Sequence, residues 1–550
     1  MNHDASHSLT SSTMDSGLRV SRLRGFPWAR GLIVPLVVVL AWFAGCSQQI
    51  SRDTRAAREV ITPDLMSAHV YALASDSMKG RNTPSPELDS AARYINAEFR
   101  RIGLAPLAGS YFQTVHLNIV NLGQPNELVI TKEGRPRPFA VKTDFTPFEM
   151  TASREVEGDL VFAGYGITAP EYRYDDYAGL DVKGKVVLVL RHEPGEDDSS
   201  SVFRGKLSTP YSTVPEKVRN AIAHGAVAVL VATDPLNHTL LTPRGFPWPS
   251  LSSVIPKDAL PVTLAADEAR KVPVIHVGRA VIESLFGSVD SLRDLQGRID
   301  RTLMPASFQM SGVLLRVQTT TDITRMQAFN VAGSLEGSDP VGEVVVIGAH
   351  YDHVGVSREH QAGDDFIYNG ADDNASGTAA LLGIARAMSA MPVRPRRTVL
   401  FLAFAGEEKG LFGSEYYVRN SLVPLEKTVA MLNFDMVGRN GRDSLYLVGA
   451  KESPDLARIV HGVNGDVGMV LIDSELDSGG SDHVSFTEKG VAAVHFFSGL
   501  HADYHRVSDN PDRIDMQKVS LVAQLGFLAA WEIANEADQY HLLPKQPTTH

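Results

Sequence analysis

Only one cysteine, Cys46, occurs in the 550 residues, so no internal disulfide forms and no zinc site of the CxxC kind can be built. Any bound metal must be held by His, Asp and Glu. Long basic runs are also missing beyond the first thirty residues, and the formal net charge is -12. That excludes an extended phosphate-binding surface, so nucleic acid is not an expected partner. Internal repeats and low-complexity tracts are absent. What is present is ordinary globular material: 43% hydrophobic and 21% charged residues, enough apolar surface to fold. The length predicts two globular domains plus a leader.

The leader accounts for the cysteine. Arg19, Arg22, Arg24 and Arg30 precede the apolar run from Gly31 to Gly45, which has the charge and length of a signal peptide and is short for a spanning helix. It ends on Phe43-Ala44-Gly45-Cys46, which resembles the bacterial lipobox, with Phe43 in place of the usual Leu. An uncleaved N-terminal anchor is the competing reading. In either case the globular part is expected outside the cytoplasm, as an exported bacterial lipoprotein at the periplasm, outer membrane or cell surface. Ser47 resembles an outer-membrane sorting signal.

Thr62 to Leu104 reads as two helices, broken by Thr83-Pro84-Ser85-Pro86 and closed by Gly103 as a C-cap. From about Leu117 to Val317 short β-branched strands dominate, with one amphipathic helix in KVRNAIAHGAVAVLVAT. From Phe329 apolar strand runs alternate with helical segments, the pattern of a mainly parallel sheet covered on both faces.

In such sheets functional groups gather where strands end, and the polar residues there are nearly all metal-ligand types. The first run ends in His350-Tyr351-Asp352, placing His and Asp on one side of the strand, as suits a ligand histidine oriented by a carboxylate. Next comes the polar loop Asn369 to Gly377, which contains Asp372 and Asp373 and opens a helix. The third run ends in Gly406-Glu407-Glu408, adjacent acids pointing in different directions, so one is free to bind metal and the other to act as general base. Asn433-Phe434-Asp435 closes the fourth run, and a last histidine lies in Ala502-Asp503-Tyr504-His505-Arg506. Singly, each is more often a solvated loop residue or a helix cap. Together, in strand-end order, they supply the oxygen and nitrogen donors that two clustered divalent ions need.

These segments, with Glu407-Glu408-Lys409-Gly410-Leu411-Phe412-Gly413-Ser414, resemble the aminopeptidase Y family of two-zinc peptidases, M28. The resemblance implies two Zn2+ ions held by His350, Asp373, Glu408, Asp435 and His505, with Asp373 bridging. It implies Glu407 as general base and Asp352 as the group orienting His350. Asp372 competes with Asp373 for the bridge, and spacing to Ser376-Gly377 favours Asp373. Tyr504 is either a hydrogen-bond donor to the oxyanion or an aromatic loop residue. The β-rich segment resembles a protease-associated (PA) domain.

The chain then divides into a lipoprotein signal peptide and lipobox (1–46), a linker (47–61), the N-terminal part of the peptidase domain (62–116), the inserted PA-like domain (117–317), the catalytic domain (318–540) and a tail (541–550). The fold expected is α/β, a mainly parallel mixed sheet with helices on both faces, plus the β-rich insert. The implied activity is hydrolysis of N-terminal residues from peptides by metal-activated water, with Glu407 taking its proton. The membrane is expected to be touched only through a lipid on Cys46, and the oligomeric state stays open.

Ser481-Asp482-His483 is read as structural or substrate-facing, and His353, His495 and His501 as loop or core histidines. Among rivals, the acetylornithine deacetylase type inserts a lid between the fourth and fifth ligands, but Asp435 and His505 stand only 70 positions apart. A glutaminyl-cyclase-like enzyme suits the paired Glu407-Glu408 less well. The same fold also admits another amide hydrolase or a carboxypeptidase. A non-catalytic binding protein predicts missing ligands, and none is missing.

Overall fold

Four apolar runs become adjacent parallel strands, in the order Thr398–Phe404, Val344–His350, Thr428–Phe434, Ala493–Phe497. Their near-continuous hydrophobicity is required because both faces are covered. Alternation along each strand divides the side chains. Val345, Ile347, Phe401, Ala403 and Leu432 pack with Val70, Phe99, Leu381 and Leu525 from the helices Pro63–Leu73, Pro86–Ile102, Gly377–Ala390 and Met516–Asn535. Val344, Val346, Leu400, Leu402 and Met431 face the other way, against Tyr417, Val418 and Phe486. The structure, a computed structural model, describes residues 52–205, 209–239, 241–243, 262–265, 272–357, 360–475 and 480–543. The signal-peptide reading and Cys46 lie outside these residues.

Antiparallel strands extend the central four into a mixed ten-stranded sheet. Thr321–Leu335 and then Phe112–Leu122 flank one side, and Ser444–Val448 and Val470–Ser474 the other. The expected architecture, a mainly parallel mixed sheet with helices on both faces, is what forms. The two N-terminal helices also form where the sequence places them. Thr62 and Ser85 cap their starts by accepting from the Leu65 and Leu88 amides, and Gly103, at φ 90°, closes the second.

The insert builds an eight-stranded sheet of its own, whose middle strands Arg154–Phe162, Val186–Leu190, Ala228–Ala232 and Val274–Val277 run parallel. Helices Arg279–Phe286 and Val289–Thr302 cover one face and Val214–Ala223 the other. Leu122 pairs directly with Thr321, so the chain leaves the catalytic sheet and re-enters it at the same register position. The strand Phe112–Leu122 therefore carries catalytic-sheet pairing past residue 117. Val262–Leu264 also returns from the insert to pair with Leu117–Ile119 at that sheet's edge. Ala56–His550 forms one compact unit. Among the described residues no helix is long and apolar enough to cross a membrane.

Candidate metal centre

His350 is the last residue of its strand, and its backbone carbonyl accepts from Thr378 Oγ1 in the following helix. Its Nε2 lies 3.1 Å from Asp435 Oδ1 and 3.3 Å from Asp373 Oδ1. The other oxygen of Asp373 faces a different group: Oδ2 is 3.0 Å from His505 Nε2, which is also 3.0 Å from Glu408 Oε2. Two donor clusters thus share one carboxylate, His350, Asp373 and Asp435 on one side and Asp373, Glu408, His505 and His353 on the other. All five residues named as ligands are brought together.

Asp372 belongs to neither cluster. Its Oδ1 accepts from the Gly438 amide, and its Oδ2 lies 3.3 Å from His501 Nε2. The loop that carries the two aspartates is held from several directions. Asn374 donates to the Phe434 carbonyl and accepts from the Gly377 and Met436 amides, tying the loop to the end of the strand that delivers Asp435. The Asp509 carboxylate accepts from the Asp372 and Asp373 amides. Gly370 has φ 59°, and a Cβ there would lie 2.4 Å from His353 Cγ, so only glycine fits.

Asp352 is buried with its Oδ1 3.7 Å from His350 Nδ1, while the Asp352 backbone oxygen is 3.3 Å from the same nitrogen. Its carboxylate also accepts from the Glu407 amide at 3.1 Å and from Thr83 Oγ1 at 2.9 Å. It therefore sets the turn that presents Glu407 as well as lying beside the histidine. Tyr504 stacks on His505, with ring centroids 3.9 Å apart.

Three residues that the sequence reading did not name as ligands or catalytic groups lie at the site. His353 is fully buried, with Nδ1 2.8 Å from Glu408 Oε1, so the reading of it as a plain loop or core histidine misses its position among the donors. Only its closeness to His350 in sequence hinted at this. Arg81, also fully buried, donates to the carbonyls of Leu73, Tyr351, Asn369 and Gly370 and so locks both ligand-bearing loops to the N-terminal helices. Asp482 is buried near the site, and burial pushes its carboxyl up to about 7. Its neighbours are structural: Ser481 accepts from Asn433 Nδ2, and His483 stacks on His495.

The charges are interdependent. Burial opposes the charged form of His350, but Asp435, Glu407, Asp352 and Asp373 outweigh it and hold the imidazole well above its usual range. His505 is raised to about 11, burial being overcome by Glu408 and Asp373. Glu408 falls to about 2 despite burial and the Asp373 charge, through His505 and His353. Glu407 goes the other way: burial, then Glu408, Asp435 and Asp482, push its carboxyl well up against the pull of His350.

These residues fit divalent ions. His505 Nε2 stands 3.0 Å from two carboxylate oxygens yet has no hydrogen-bond partner, and His353 Nε2 is likewise buried and unpartnered, a donor arrangement that a shared cation satisfies. The neighbouring carboxylates favour protons on the His350 and His505 imidazoles, so binding of an ion there must displace them.

Residues 330–528 match the model of Peptidase family M28, and residues 156–285 match that of the PA domain. Aminopeptidase YwaD of Bacillus subtilis (strain 168) is 24% identical over 394 residues, covering 69% of this chain and 70% of that protein. Leupeptin-inactivating enzyme 1 of Streptomyces exfoliatus is 32% identical over 201 residues, covering 36% of this chain and 41% of that protein. Among solved structures, an aminopeptidase from Aneurinibacillus sp. strain AM-1 aligns with a TM-score of 0.51 at 20% identity, covering 90% of this chain and 98% of that one. At that identity the likeness concerns the fold.

Proposed function

Because the chain belongs to peptidase family M28 and carries an inserted PA domain, we propose that it is an aminopeptidase that works with two zinc ions. The observation that carries this reading is Asp373, whose two oxygens face different donor sets, His350 with Asp435 and His505 with Glu408. A carboxylate so placed suits the bridge of a two-metal site. When bound, the ions supply an acidified water and polarise the scissile carbonyl.

Glu407 is the proton carrier in this account. Its carboxyl, made more basic by burial, takes a proton from the attacking water and returns it to the leaving amine. Asp352 holds the Glu407 amide and so aims the turn. Tyr504, packed on His505, is the residue we assign as hydrogen-bond donor to the oxyanion. The preference for a free α-amino terminus is supported by the name of the Bacillus subtilis relative, an aminopeptidase.

We further propose that the chain is exported and anchored by a lipid on Cys46, on the strength of the basic and apolar leader. Cys46→Ala should abolish lipid labelling and move the protein from the membrane to the soluble fraction. The activity is tested with aminoacyl-p-nitroanilides beside N-blocked peptides, using zinc-loaded protein and Glu407→Gln as control. Cleavage of free-amine substrates alone, lost in the variant, is the expected result. Cleavage of blocked substrates would instead assign another amide hydrolase, and no cleavage at all would assign a binding role.

A further inference from the structure

A second group of imidazoles and carboxylates stands in the inserted module, and none of its members serves the site above. His192 and Glu196 follow the strand Val186–Leu190, while Asp234 and His238 follow its parallel neighbour Ala228–Ala232. His192 Nδ1 lies 2.8 Å from Asp234 Oδ1 and 3.5 Å from Glu196 Oε2. His238 Nε2 lies 2.9 Å from Glu196 Oε2 and 3.6 Å from Asp234 Oδ2. One donor atom from each of the four falls within 4.8 Å of the others. Tetrahedral zinc with nitrogen and oxygen donors at about 2.0–2.2 Å sets those donors roughly 3.4 Å apart. The four close separations bracket that edge, and the longest needs only the half-exposed His238 side chain to close in.

A second observation points to a ligand. Asp234 is 1% exposed, and its Oδ2, which faces His238, has no hydrogen-bond partner. A buried carboxylate oxygen left unpaired is costly, and a cation satisfies it. The turn that carries the group is held in advance. Buried Gln296 accepts from the Leu236 amide and donates to Asn237 Oδ1, and the His238 amide donates to the Asp234 carbonyl. The rings of His192 and His238 lie 4.4 Å apart by centroid, and their side chains are 24% and 40% exposed, so an ion reaches them from solvent.

We propose that His192, Glu196, Asp234 and His238 form a further metal site in the inserted module, for zinc or a similar borderline divalent ion, cross-linking the loops that follow two neighbouring strands. Two imidazoles select such an ion over magnesium or calcium, which take oxygen ligands.

The test uses the full chain, equilibrated with zinc and dialysed to remove the excess, with metal counted per chain. The His192→Ala/His238→Ala protein should hold about one zinc ion fewer than wild type. His238→Gln, which keeps the side-chain bulk, should show the same loss with unchanged circular dichroism. In an Asp373→Ala background, where the catalytic cluster is broken, zinc should still raise the melting temperature, and adding His238→Gln should remove that rise. Equal zinc content in wild type and both His variants, or a melting response that His238→Gln leaves intact, would overturn the proposal and leave these groups as ion pairs only.

Discussion

Two sets of His and acidic residues stand at the ends of parallel strands, one in the catalytic sheet and one in the inserted sheet, and they are built differently. In the first, His350, His353, Asp352 and Asp373 are at most 3% exposed, and Arg81, Asp509 and Asn374 hold the surrounding backbone. In the second, only Asp234 is buried, and the two histidines reach solvent. Burial makes each charge depend on its neighbours, because no water is left to screen it. On the proposed roles, the catalytic set combines stability, ion binding and chemistry in the same residues, whereas the inserted set has ion binding alone.

The largest expected effect lies in the catalytic set. Glu407→Gln should lower kcat/KM by about 10²–10⁴-fold while leaving zinc content unchanged, since it removes the proposed proton carrier and none of the proposed ligands. Steady-state kinetics with metal analysis on the same sample checks both halves. If activity and zinc were lost together, Glu407 would be a ligand instead.

Next comes the scaffold of that set. Arg81→Met strips the donors from four backbone carbonyls, those of Leu73, Tyr351, Asn369 and Gly370, and should cost about 4 kcal/mol or more in denaturant unfolding. An unchanged midpoint would show that the guanidinium is not what joins the helices to the ligand loops.

A smaller effect distinguishes the modules by pH. His69, in the first N-terminal helix, is buried against the Tyr94 hydroxyl at 2.7 Å, and burial lowers its imidazole to about 4. The folded protein binds fewer protons than the unfolded chain between that value and 6.5. Stability from this source is thus complete above pH 6.5 and is lost as pH falls toward 4, by about 3 kcal/mol in all. The stability gained between pH 5 and pH 7.5 should be smaller in His69→Gln than in wild type by about 2 kcal/mol. An equal gain in the two proteins would place the acid sensitivity elsewhere.

Smallest of all is the metal-free cost of the inserted set. His192→Ala/His238→Ala should change stability without zinc by no more than about 1 kcal/mol and peptide hydrolysis by less than about twofold. A large loss of either would make the two sets alike.

Much of this was legible in the sequence because it depends on local patterns. Apolar runs of strand length, the proline break before Pro86–Ile102, and polar residues where each run stops mark the catalytic sheet and its five candidate ligands. The rest depends on contacts that leave no pattern. Arg81 acts on backbone carbonyls up to 289 positions away, and any residue supplies a carbonyl, so no partner residue marks its role. His353 differs from a core histidine only in facing Glu408. Residues 117–122 read as part of the β-rich insert because they look like their neighbours, and only the pairing of the strand Phe112–Leu122 with Thr321–Leu335 assigns them to the catalytic sheet. His192 and His238 are 46 positions apart, and the parallel pairing of the strands before them is what unites them.

The central claim, that Asp373 joins two ions, is tested most directly by anomalous diffraction at the zinc edge from zinc-loaded crystals. The account predicts two peaks flanking the Asp373 carboxylate, one beside His350 and Asp435 and the other beside Glu408 and His505. A single peak at that carboxylate, or two peaks of which one does not touch it, would contradict the bridged two-ion site.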